Sequence, residues 1–403
     1  MLPKEQTGID FTNTITEGPG SNVLETEFFY NGGGVAVGDI NQDGLKDLYF
    51  TANNGANALY LNQGKFHFQD ITVQAGVADS TGWSAGTSMV DINADGFPDI
   101  YVCKAGEIGE EKRRNKLFIN NGDATFTEKA AAYGLDEPGY CTQANFFDYD
   151  RDGDLDTYIV NYSVKVLSGF DLTKIREKVD PYAGDKLYRN DNGTFTDVSR
   201  KAGIQQNPIG FGLSATISDL NKDGWPDIFV ANDFIERDYL YINNGDGTFS
   251  DEIFTRTYLT SYFSMGSDIA DINNDRWPDI FVADMLPYEY PRERVFKKPD
   301  YSRYQQLANQ RYHRQNMRNT LQLNNGDGTF SEVGQLAGVS KTDWSWAPLA
   351  ADFDNDGHKD IFVTNGFGRF YTDLDYLNNT LWKEYSGGNY RKILNYCTTW
   401  SSR

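Results

Sequence analysis

The stretch DINADGFPDIYVCKA, residues 91–105, decides the fold because its first nine residues recur along the chain. The shared pattern is Asp-x-Asn/Asp-x-Asp-Gly-x-x-Asp, and its six copies begin at Asp39, Asp91, Asp148, Asp219, Asp271 and Asp352. In the fifth copy, DINNDRWPD, Arg276 stands in place of the glycine. Successive copies start 52, 57, 71, 52 and 81 residues apart, which indicates an array of one supersecondary unit.

Each copy of this acidic loop lies between two runs that favour β-structure. A run of small and apolar residues precedes it, and a strand-forming run such as DIFVAND follows it. Five copies are then followed by a second motif, for example NKLFINNGDATFTE or NTLQLNNGDGTFSE, in which Asn-Gly and Asp-Gly predict hairpin turns. Every repeat therefore predicts four antiparallel strands, with the acidic loop between the first two.

A four-stranded antiparallel unit that repeats around an axis is the blade of a β-propeller. The predicted fold is thus all-β, with six blades or with six blades of a seven-bladed ring. A β-solenoid is the alternative, but its coils are shorter and lack paired hairpins.

We interpret residues 1–403 as a single propeller domain whose segments have different roles. Residues 1–33 hold a lead-in and TGIDFTNTI, which is similar to an outermost strand and would complete the last blade. The repeats occupy 34–365, and 366–403 form an irregular or truncated end. Insertions at 162–184 and 284–318 have charged and aromatic stretches that are compatible with short helices.

The composition argues against several classes of partner and of structure. The chain has 37 basic and 58 acidic residues, and its net charge of −21 argues against nucleic acid or an anionic membrane as the main partner. It has no apolar run of the length that spans a bilayer. The three cysteines, Cys103, Cys141 and Cys397, allow one disulfide at most and exclude a disulfide scaffold.

The spacing of the acidic loop suits a hard cation. Side chains at positions 1, 3 and 5 and the main-chain carbonyl of position 7 converge, a glycine at position 6 permits the sharp turn, and the acid at position 9 closes the cage. Oxygen ligands without His or Cys select Ca²⁺. The predicted ligands are Asp39, Asn41, Asp43, Leu45, Asp47, Asp91, Asn93, Asp95, Phe97, Asp99, Asp148, Asp150, Asp152, Asp154, Asp156, Asp219, Asn221, Asp223, Trp225, Asp227, Asp271, Asn273, Asp275, Trp277, Asp279, Asp352, Asp354, Asp356, His358 and Asp360.

The six loops are not equivalent, and we predict five to six calcium sites. The third and sixth loops carry an additional carboxylate at position 3, Asp150 and Asp354, and should bind most tightly. The fifth loop, which begins at Asp271, should bind most weakly because Arg276 strains the turn and places a cation beside the ligands.

The acidic loops and the LYxNNGDGTF strands resemble those of FG-GAP/VCBS repeat propellers, a group that includes integrin α-chain heads. The segments TGIDFTNT, FFYNGGGVAVGDINQDGLKDLYF and LAGVSKTDWSWAPLAADFDNDG are also similar to bacterial surface proteins of the ASPIC/UnbV, cartilage acidic protein type. The resemblance implies an exported or cell-surface protein that binds calcium. It does not imply a particular ligand.

Three functions remain open. The first is a binding or scaffold module for a protein or glycan ligand at the cell surface. The second is a polysaccharide-degrading, lyase-like enzyme, which would need Tyr301, Arg311, Tyr312 and His313 in one cleft. The third is a structural segment of a larger assembly.

Two further stretches contain residues that could carry a function. Residues 284–318 hold interleaved tyrosines and basic residues, which could form a platform for sugar rings or a helical clip that packs on the propeller. The string GWSAG at 82–86 matches a nucleophile elbow, but a strand rather than a helix is predicted after Ser84.

Overall fold

The computed structural model describes residues 2–16, 27–106, 108–164, 172–296, 299–366 and 374. Within them, five sheets have four strands each. The first three sheets are β1 (Val35–Gly38), β2 (Asp47–Phe50), β3 (Ala58–Asn62) and β4 (Phe68–Asp70); β5 (Trp83–Val90), β6 (Asp99–Ala105), β7 (Lys116–Asn120) and β8 (Phe126–Glu128); and β9 (Cys141–Phe147), β10 (Asp156–Asn161), β11 (Lys186–Asn190) and β12 (Phe195–Asp197).

The later part of the chain continues this pattern. The fourth sheet comprises β13 (Gly212–Ser218), β14 (Asp227–Asn232), β15 (Tyr239–Asn243) and β16 (Phe249–Asp251). The remaining strands are β17 (Thr260–Ser261), β18 (Ser267–Ala270), β19 (Asp279–Val282), β20 (Gln315–Asn316), β21 (Thr320–Asn324), β22 (Phe330–Glu332), β23 (Ser345–Ala351) and β24 (Asp360–Asn365). Strands β18, β19, β21 and β22 form the fifth sheet, β23 and β24 pair as a sixth, and β17 pairs with β20 in parallel.

The strand order confirms the predicted repeat. In the first four sheets, strands that are neighbours in space are consecutive in sequence, and in the fifth β19 pairs with β21 across the insertion that holds β20. The pairings of the first, second, third and fifth sheets are antiparallel. The acidic loop connects the first and second strands in every case, and the glycine-containing turns connect the third and fourth. In the second, third and fourth sheets the second strand is buried along its whole length.

Helices are short and lie in the connections. They are α1 (Lys4–Thr7), α2 (Thr72–Ala75), α3 (Ala130–Tyr133), α4 (Leu172–Ile175), α5 (Ser199–Ala202), α6 (Ile253–Arg256), α7 (Tyr290–Val295) and α8 (Tyr301–Asn309). The predicted helices are therefore present in both insertions, with α4 in the first and α7 and α8 in the second. No helix in the described ranges combines the length and apolarity that crossing a bilayer requires.

The chain divides into two compact units. Unit 1 comprises 1–217, 222–230 and 241–251, and unit 2 comprises 218–221, 231–240 and 252–403. In unit 1, the first strands of successive sheets lie side by side: the Gly34 N–H donates to the Ala85 carbonyl at 2.9 Å, and Ser88 Oγ donates to the Ala144 carbonyl at 2.8 Å. This close approach needs glycine, because a Cβ on Gly86 would lie 2.3 Å from the Thr142 oxygen.

Unit 2 shows the same relationship between its own sheets, where the Ala350 N–H donates to Asp268 Oδ2 at 2.7 Å and joins β23 to β18. Four-stranded antiparallel sheets that adjoin through their first strands are blades of the β-propeller class. The all-β, blade-built fold predicted from the repeats is therefore confirmed.

The core lies between successive sheets. One apolar cluster joins Tyr49 and Leu59 of the first sheet to Ile100 and Val102 of the second, all of which are fully buried. The next cluster joins the second and third sheets and includes Cys103 and Cys141, which are buried free thiols. Full burial of each large apolar side chain contributes about 1.5–3 kcal/mol, so inter-sheet packing dominates the stability.

The N-terminal segment, predicted to complete the last blade, contacts the first sheet. Residues 8–16 contain no strand and lie against the first sheet, where the Phe11 ring stacks on Phe50 with centroids 5.1 Å apart. Asn13 Nδ2 also donates to Asn53 Oδ1 at 2.7 Å. Both are side-chain contacts, and they hold this segment against the first sheet. The predicted irregular end at 366–403 lies outside the described residues, except for 366 and 374.

Candidate metal centres

The acidic loops share one backbone fold, which the carboxylate at position 1 organises. In the second loop, the Asp95 N–H donates to Asp91 Oδ1 at 3.0 Å and the Gly96 N–H donates to Asp91 Oδ2 at 2.8 Å. The same two bonds, 2.8–3.1 Å long, occur in the first, third, fifth and sixth loops. Because the backbone wraps around this side chain, positions 1, 3 and 5 are held close together.

Two residues of each loop have positive φ. Position 6 was predicted to need it, and φ there is between 75° and 98° in all six loops. Position 4 also has positive φ, although none of its residues is glycine: Gln42, Ala94, Arg151, Lys222, Asn274 and Asn355, with φ of 56–62°. The left-handed conformation costs such residues about 1 kcal/mol each, so the loop stores strain that its internal hydrogen bonds offset.

The structure brings carboxylates together in two loops. In the third loop, one oxygen each of Asp148, Asp150 and Asp156 lie within 4.8 Å of one another. In the sixth loop, the same holds for Asp352, Asp354 and Asp356. These are the loops with an Asp at position 3. An all-oxygen donor set suits Ca²⁺.

Where position 3 is asparagine, its amide takes part in the loop as both donor and acceptor. In the second loop, Asn93 Oδ1 accepts from the Asp95 N–H at 3.1 Å, and Asn93 Nδ2 donates to Asp95 Oδ2 at 2.8 Å. The donated bond partly compensates the Asp95 charge. These loops therefore need a cation less than the third and sixth loops do.

The acid at position 9 has a structural role that its spacing did not reveal. Asp47, Asp99, Asp156 and Asp279 are fully buried. One oxygen of each accepts the N–H of position 2, and the other accepts the N–H of the asparagine that ends the third strand, at 2.8–3.1 Å. The side chain thereby ties the acidic loop to the third strand of its own sheet.

Burial has a clear electrostatic effect on these acids. It raises the pKa of Asp99 to about 6 and that of Asp156 to about 7, and the neighbouring loop carboxylates add to the increase. The pKa of Asp47 and that of Asp279 are raised for the same reasons. A bound cation favours the ionised form of a nearby carboxylate, so these residues fit a loop that binds one.

The main-chain carbonyls predicted as ligands at position 7 belong to residues whose side chains contact neighbouring turns. Asp154 Oδ2 accepts from the Asn192 N–H at 3.0 Å, and His358 Nδ1 lies 3.1 Å from Asn274 Nδ2. The position-7 N–H donates to the position-5 carboxylate, for example from Phe97 to Asp95 at 2.9 Å. The residue type at position 7 is therefore set by packing.

Within each unit, successive acidic loops adjoin through position 4. Gln42 Nε2 of the first loop donates to the Gly96 carbonyl of the second at 2.9 Å. The guanidinium of Arg151 in the third loop lies 5.0 Å from the centroid of Trp225 in the fourth. In unit 2, Asn274 Nδ2 of the fifth loop donates to the Gly357 carbonyl of the sixth at 3.0 Å. These contacts place the paired loops of each unit side by side.

In the fifth loop, Arg276 adopts the conformation of the glycine that it replaces. Its φ is 75°, and its N–H donates to Asp271 Oδ2 at 2.8 Å as the glycines do. The loop keeps its shape at the expense of backbone strain.

The GWSAG string forms no nucleophile elbow. Ser84 lies inside β5 and is buried, and its Oγ accepts from Lys104 Nζ at 3.0 Å. Lys104 is itself buried and pairs with Asp79 at 2.7 Å, so this Ser–Lys contact is part of the core.

Repeated four-stranded sheets with an acidic loop after each first strand define a β-propeller protein built from sequence repeats. The model of the FG-GAP-like repeat family matches residues 39–102, 108–159, 179–230, 219–282 and 309–363. Since these ranges cover more than half of the chain, the protein belongs to the FG-GAP-like repeat family, as the motifs predicted.

Two relatives carry the same repeats. The chain is 26% identical over 209 residues to cartilage acidic protein 1 of Xenopus tropicalis, a match that covers 50% of this chain and 29% of the relative. It is 28% identical over 232 residues to integrin alpha-7 of Mus musculus, covering 49% and 19%. The match therefore spans less than a third of either relative.

Among solved structures, the chain is similar to a lectin of Agrocybe aegerita that recognises non-reducing terminal N-acetylglucosamine. The two are 19% identical with a TM-score of 0.43, and the match covers 81% of this chain and 73% of the lectin.

Proposed function

We propose that this protein is a calcium-stabilised binding or scaffold module that works outside the cell or at its surface. The observation that carries the proposal is the shared geometry of the acidic loops, above all the carboxylate clusters of the third and sixth loops. Without a cation, three carboxylates within 4.8 Å repel one another. A bound Ca²⁺ would supply the compensating charge.

The loops and the relatives together support an extracellular or cell-surface location. Loops that are open to solvent and have few carboxylates are typical of weak calcium sites, which fill at the high calcium levels outside cells. Cartilage acidic protein 1 and integrin alpha-7 match through the same repeats, and we infer a similar extracellular or cell-surface location.

A binding role is favoured over a lyase-like enzyme by the placement of four residues. Tyr301 lines a cavity, whereas Tyr312 and His313 are buried and do not line it, and Arg311 is exposed. His313 Nε2 lies 3.0 Å from Thr257 Oγ1 and its ring packs on Phe254, as expected of a structural histidine. Dispersal of these groups supports binding.

Thermal unfolding with and without calcium tests the proposal. A ligand that binds only the folded state adds about 2.7 kcal/mol per site at a hundredfold excess over Kd, so the chelated protein should melt at a clearly lower temperature. Metal analysis should find calcium in the untreated protein. An unchanged melting curve after verified removal of calcium would contradict the proposal.

Paired variants make the test specific. Asp356→Asn removes a carboxylate from the sixth-loop cluster and should reduce the stabilisation by calcium. Asp246→Asn changes an exposed turn acid outside the acidic loops, whose Oδ1 accepts from the Thr248 N–H at 3.0 Å. This control should respond to calcium like the unmodified protein.

A further inference from the structure

A cavity of about 550 Å³ lies in unit 2, beside the helices of the second insertion. Its walls include Glu293, Tyr301, Tyr304, Gln315, Arg318 and Lys341. The volume is typical of small-molecule sites, which are concave and combine aromatic faces with a few polar groups. No acidic calcium loop contributes to it.

Ion pairs hold the cavity walls in place. Lys341 Nζ pairs with Glu293 Oε2 at 2.6 Å, and the neighbouring Arg292 of α7 donates to both oxygens of Asp343. These bonds fasten α7 to the segment before β23. A site whose walls are already ordered loses little entropy when a ligand binds.

Two tyrosines form an aromatic face on α8. Tyr301 and Tyr304 are three residues apart, so they lie on one side of the helix, and their rings are near-parallel with centroids 6.2 Å apart and an angle of 15°. Tyr301 is 71% exposed, and Gln305 Nε2 donates to its hydroxyl at 2.7 Å. An ordered and exposed aromatic pair at a cavity suits a ligand with a flat apolar face.

Two buried polar atoms on the walls have no hydrogen-bond partner in the described residues: one is an acceptor and the other is a donor. Gln315 is 4% exposed, and its Nε2 donates to the carbonyls of Ile235 and Tyr312, but Oε1 accepts no hydrogen bond within the described part of the chain. Arg318 Nη2 pairs with Glu332 at 2.6 Å, while Nε likewise lacks a partner there. Both atoms are buried, so a ligand hydroxyl, which can donate and accept, bonds to them once the two side chains turn towards the cavity.

The charges on the walls balance. Glu293 and Lys341 pair with each other, Arg318 pairs with Glu332, and Asp300 accepts the Arg303 N–H at the start of α8 at 2.7 Å. An anionic ligand would find no free cation among these residues.

From the stacked tyrosines, the unsatisfied amide and guanidinium atoms and the balanced charge, we propose that this cavity binds a neutral oligosaccharide. Sugar rings have apolar faces for Tyr301 and Tyr304 and hydroxyls for Gln315 and Arg318. The inference rests on the proposed binding function and names its ligand class. The walls also include Leu286, Pro299 and Met317, so a peptide with an apolar anchor is the alternative that the experiment distinguishes.

Binding to an array of neutral oligosaccharides, followed by titration of the best glucan, mannan or N-acetylglucosamine oligomer, tests this site in calcium-containing buffer. Tyr301→Ala should weaken binding at least tenfold, whereas Tyr301→Phe, which keeps the stacking face, should retain most of it. Tyr288→Ala is the matched control, because Tyr288 is 76% exposed on the same insertion and does not line the cavity. Equal melting temperatures would show that each variant is folded.

Four outcomes overturn the inference. They are no binding to any neutral sugar, sugar binding that Tyr301→Ala leaves unchanged, binding only to acidic glycans, and binding through Tyr301 to peptides rather than sugars. None of these bears on calcium-dependent stability, which the melting experiment measures separately. The two proposals can therefore fail independently.

Discussion

The side-chain amide of Asn120 donates to the main-chain oxygen of Ile40 at 2.9 Å, which joins the third strand of the second sheet to the first acidic loop. The same Nδ2 lies 3.2 Å from the Pro98 oxygen of its own loop, and the Asn120 N–H donates to Asp99 Oδ1 at 2.8 Å. One asparagine thus connects two loops and a strand. Asn243 makes the corresponding bond to Tyr149 at 2.9 Å.

We predict that Asn120→Ala destabilises the protein by about 1–3 kcal/mol, because it leaves buried carbonyl groups without their donor. Equilibrium unfolding in urea measures the change. Asn121→Ala is the control: Asn121 is exposed, its Nδ2 bonds to Thr125 Oγ1 in the hairpin turn, and its loss should change stability by less than about 0.5 kcal/mol. Equal effects of the two changes would show that the inter-loop bond is unimportant.

Substitutions at positions 5 and 9 of the acidic loop should distinguish a residue that binds the cation from one that holds the loop to its sheet. Asp99→Asn replaces one of two oxygens that accept buried N–H groups, so it should destabilise the protein by about 1–3 kcal/mol with or without calcium. Asp95→Asn keeps an acceptor for the Phe97 N–H and loses only the exposed bond from Asn93 Nδ2, so it should reduce stability mainly when calcium is present.

Urea unfolding of both variants in calcium and in chelator gives the four values needed. If Asp99→Asn were harmless in chelator, position 9 would act only as a ligand. If Asp95→Asn were equally harmful in chelator, position 5 would not act through a cation.

The sequence predicted the repeat well because each repeat restates the same local rules. Position 1 acids, position 6 glycines and Asn-Gly turns each specify a backbone conformation that needs no distant partner. The short helix that follows the fourth strand was not predicted. A sequence signal for it exists, because α2, α3 and α5 each end at a glycine in the left-handed conformation, Gly76, Gly134 and Gly203.

Other features could not be read from spacing. Position 4 is held at positive φ by hydrogen bonds of the whole loop, so residues as different as Ala94 and Arg151 adopt it. The double acceptor role of Asp99 depends on a strand that begins 17 residues later, at Lys116. The cavity in unit 2 combines Glu293, Gln315 and Lys341, which are far apart in sequence and meet only through the fold.

A buried acid in unit 2 should make stability depend on pH. Asp238 accepts the Asn232 N–H at 2.9 Å, and burial raises its pKa to about 7, with nearby Asp284 also contributing. The folded state therefore holds a proton that the unfolded chain releases near pH 4. The contribution of Asp238 to the free energy of unfolding is fully present below pH 4 and falls as the pH rises towards 7.

Asp238→Asn should flatten this decline and raise the free energy of unfolding at pH 8 by one to a few kcal/mol, on the order of 1.4 kcal/mol per pKa unit removed. Asparagine fits, because Asn57, Asn115 and Asn319 accept the corresponding N–H in three other sheets. Urea unfolding from pH 4 to pH 8 measures the slope. Asp246→Asn, at an exposed turn where Thr248 lowers the pKa of the carboxyl, should give no gain at pH 8.

Arg276 allows backbone strain and charge to be separated in the fifth loop. Arg276→Gly removes both the positive φ penalty and the cation, whereas Arg276→Gln removes the cation and keeps the penalty. In chelator, Arg276→Gly should be more stable than Arg276→Gln by about 1 kcal/mol, because these two variants differ in strain and not in charge. In calcium, both variants should fill the fifth loop at lower calcium concentration.

Anomalous scattering from crystals soaked at stepped calcium concentrations would report the occupancy of each loop. We expect the third and sixth loops to fill first and the fifth last, since Asp150 and Asp354 add a carboxylate and Arg276 opposes one. If the fifth loop filled before the third and sixth, ligand charge would not set the order of binding. If Arg276→Gln bound no better than arginine while Arg276→Gly did, the strained turn alone would account for a weak fifth site.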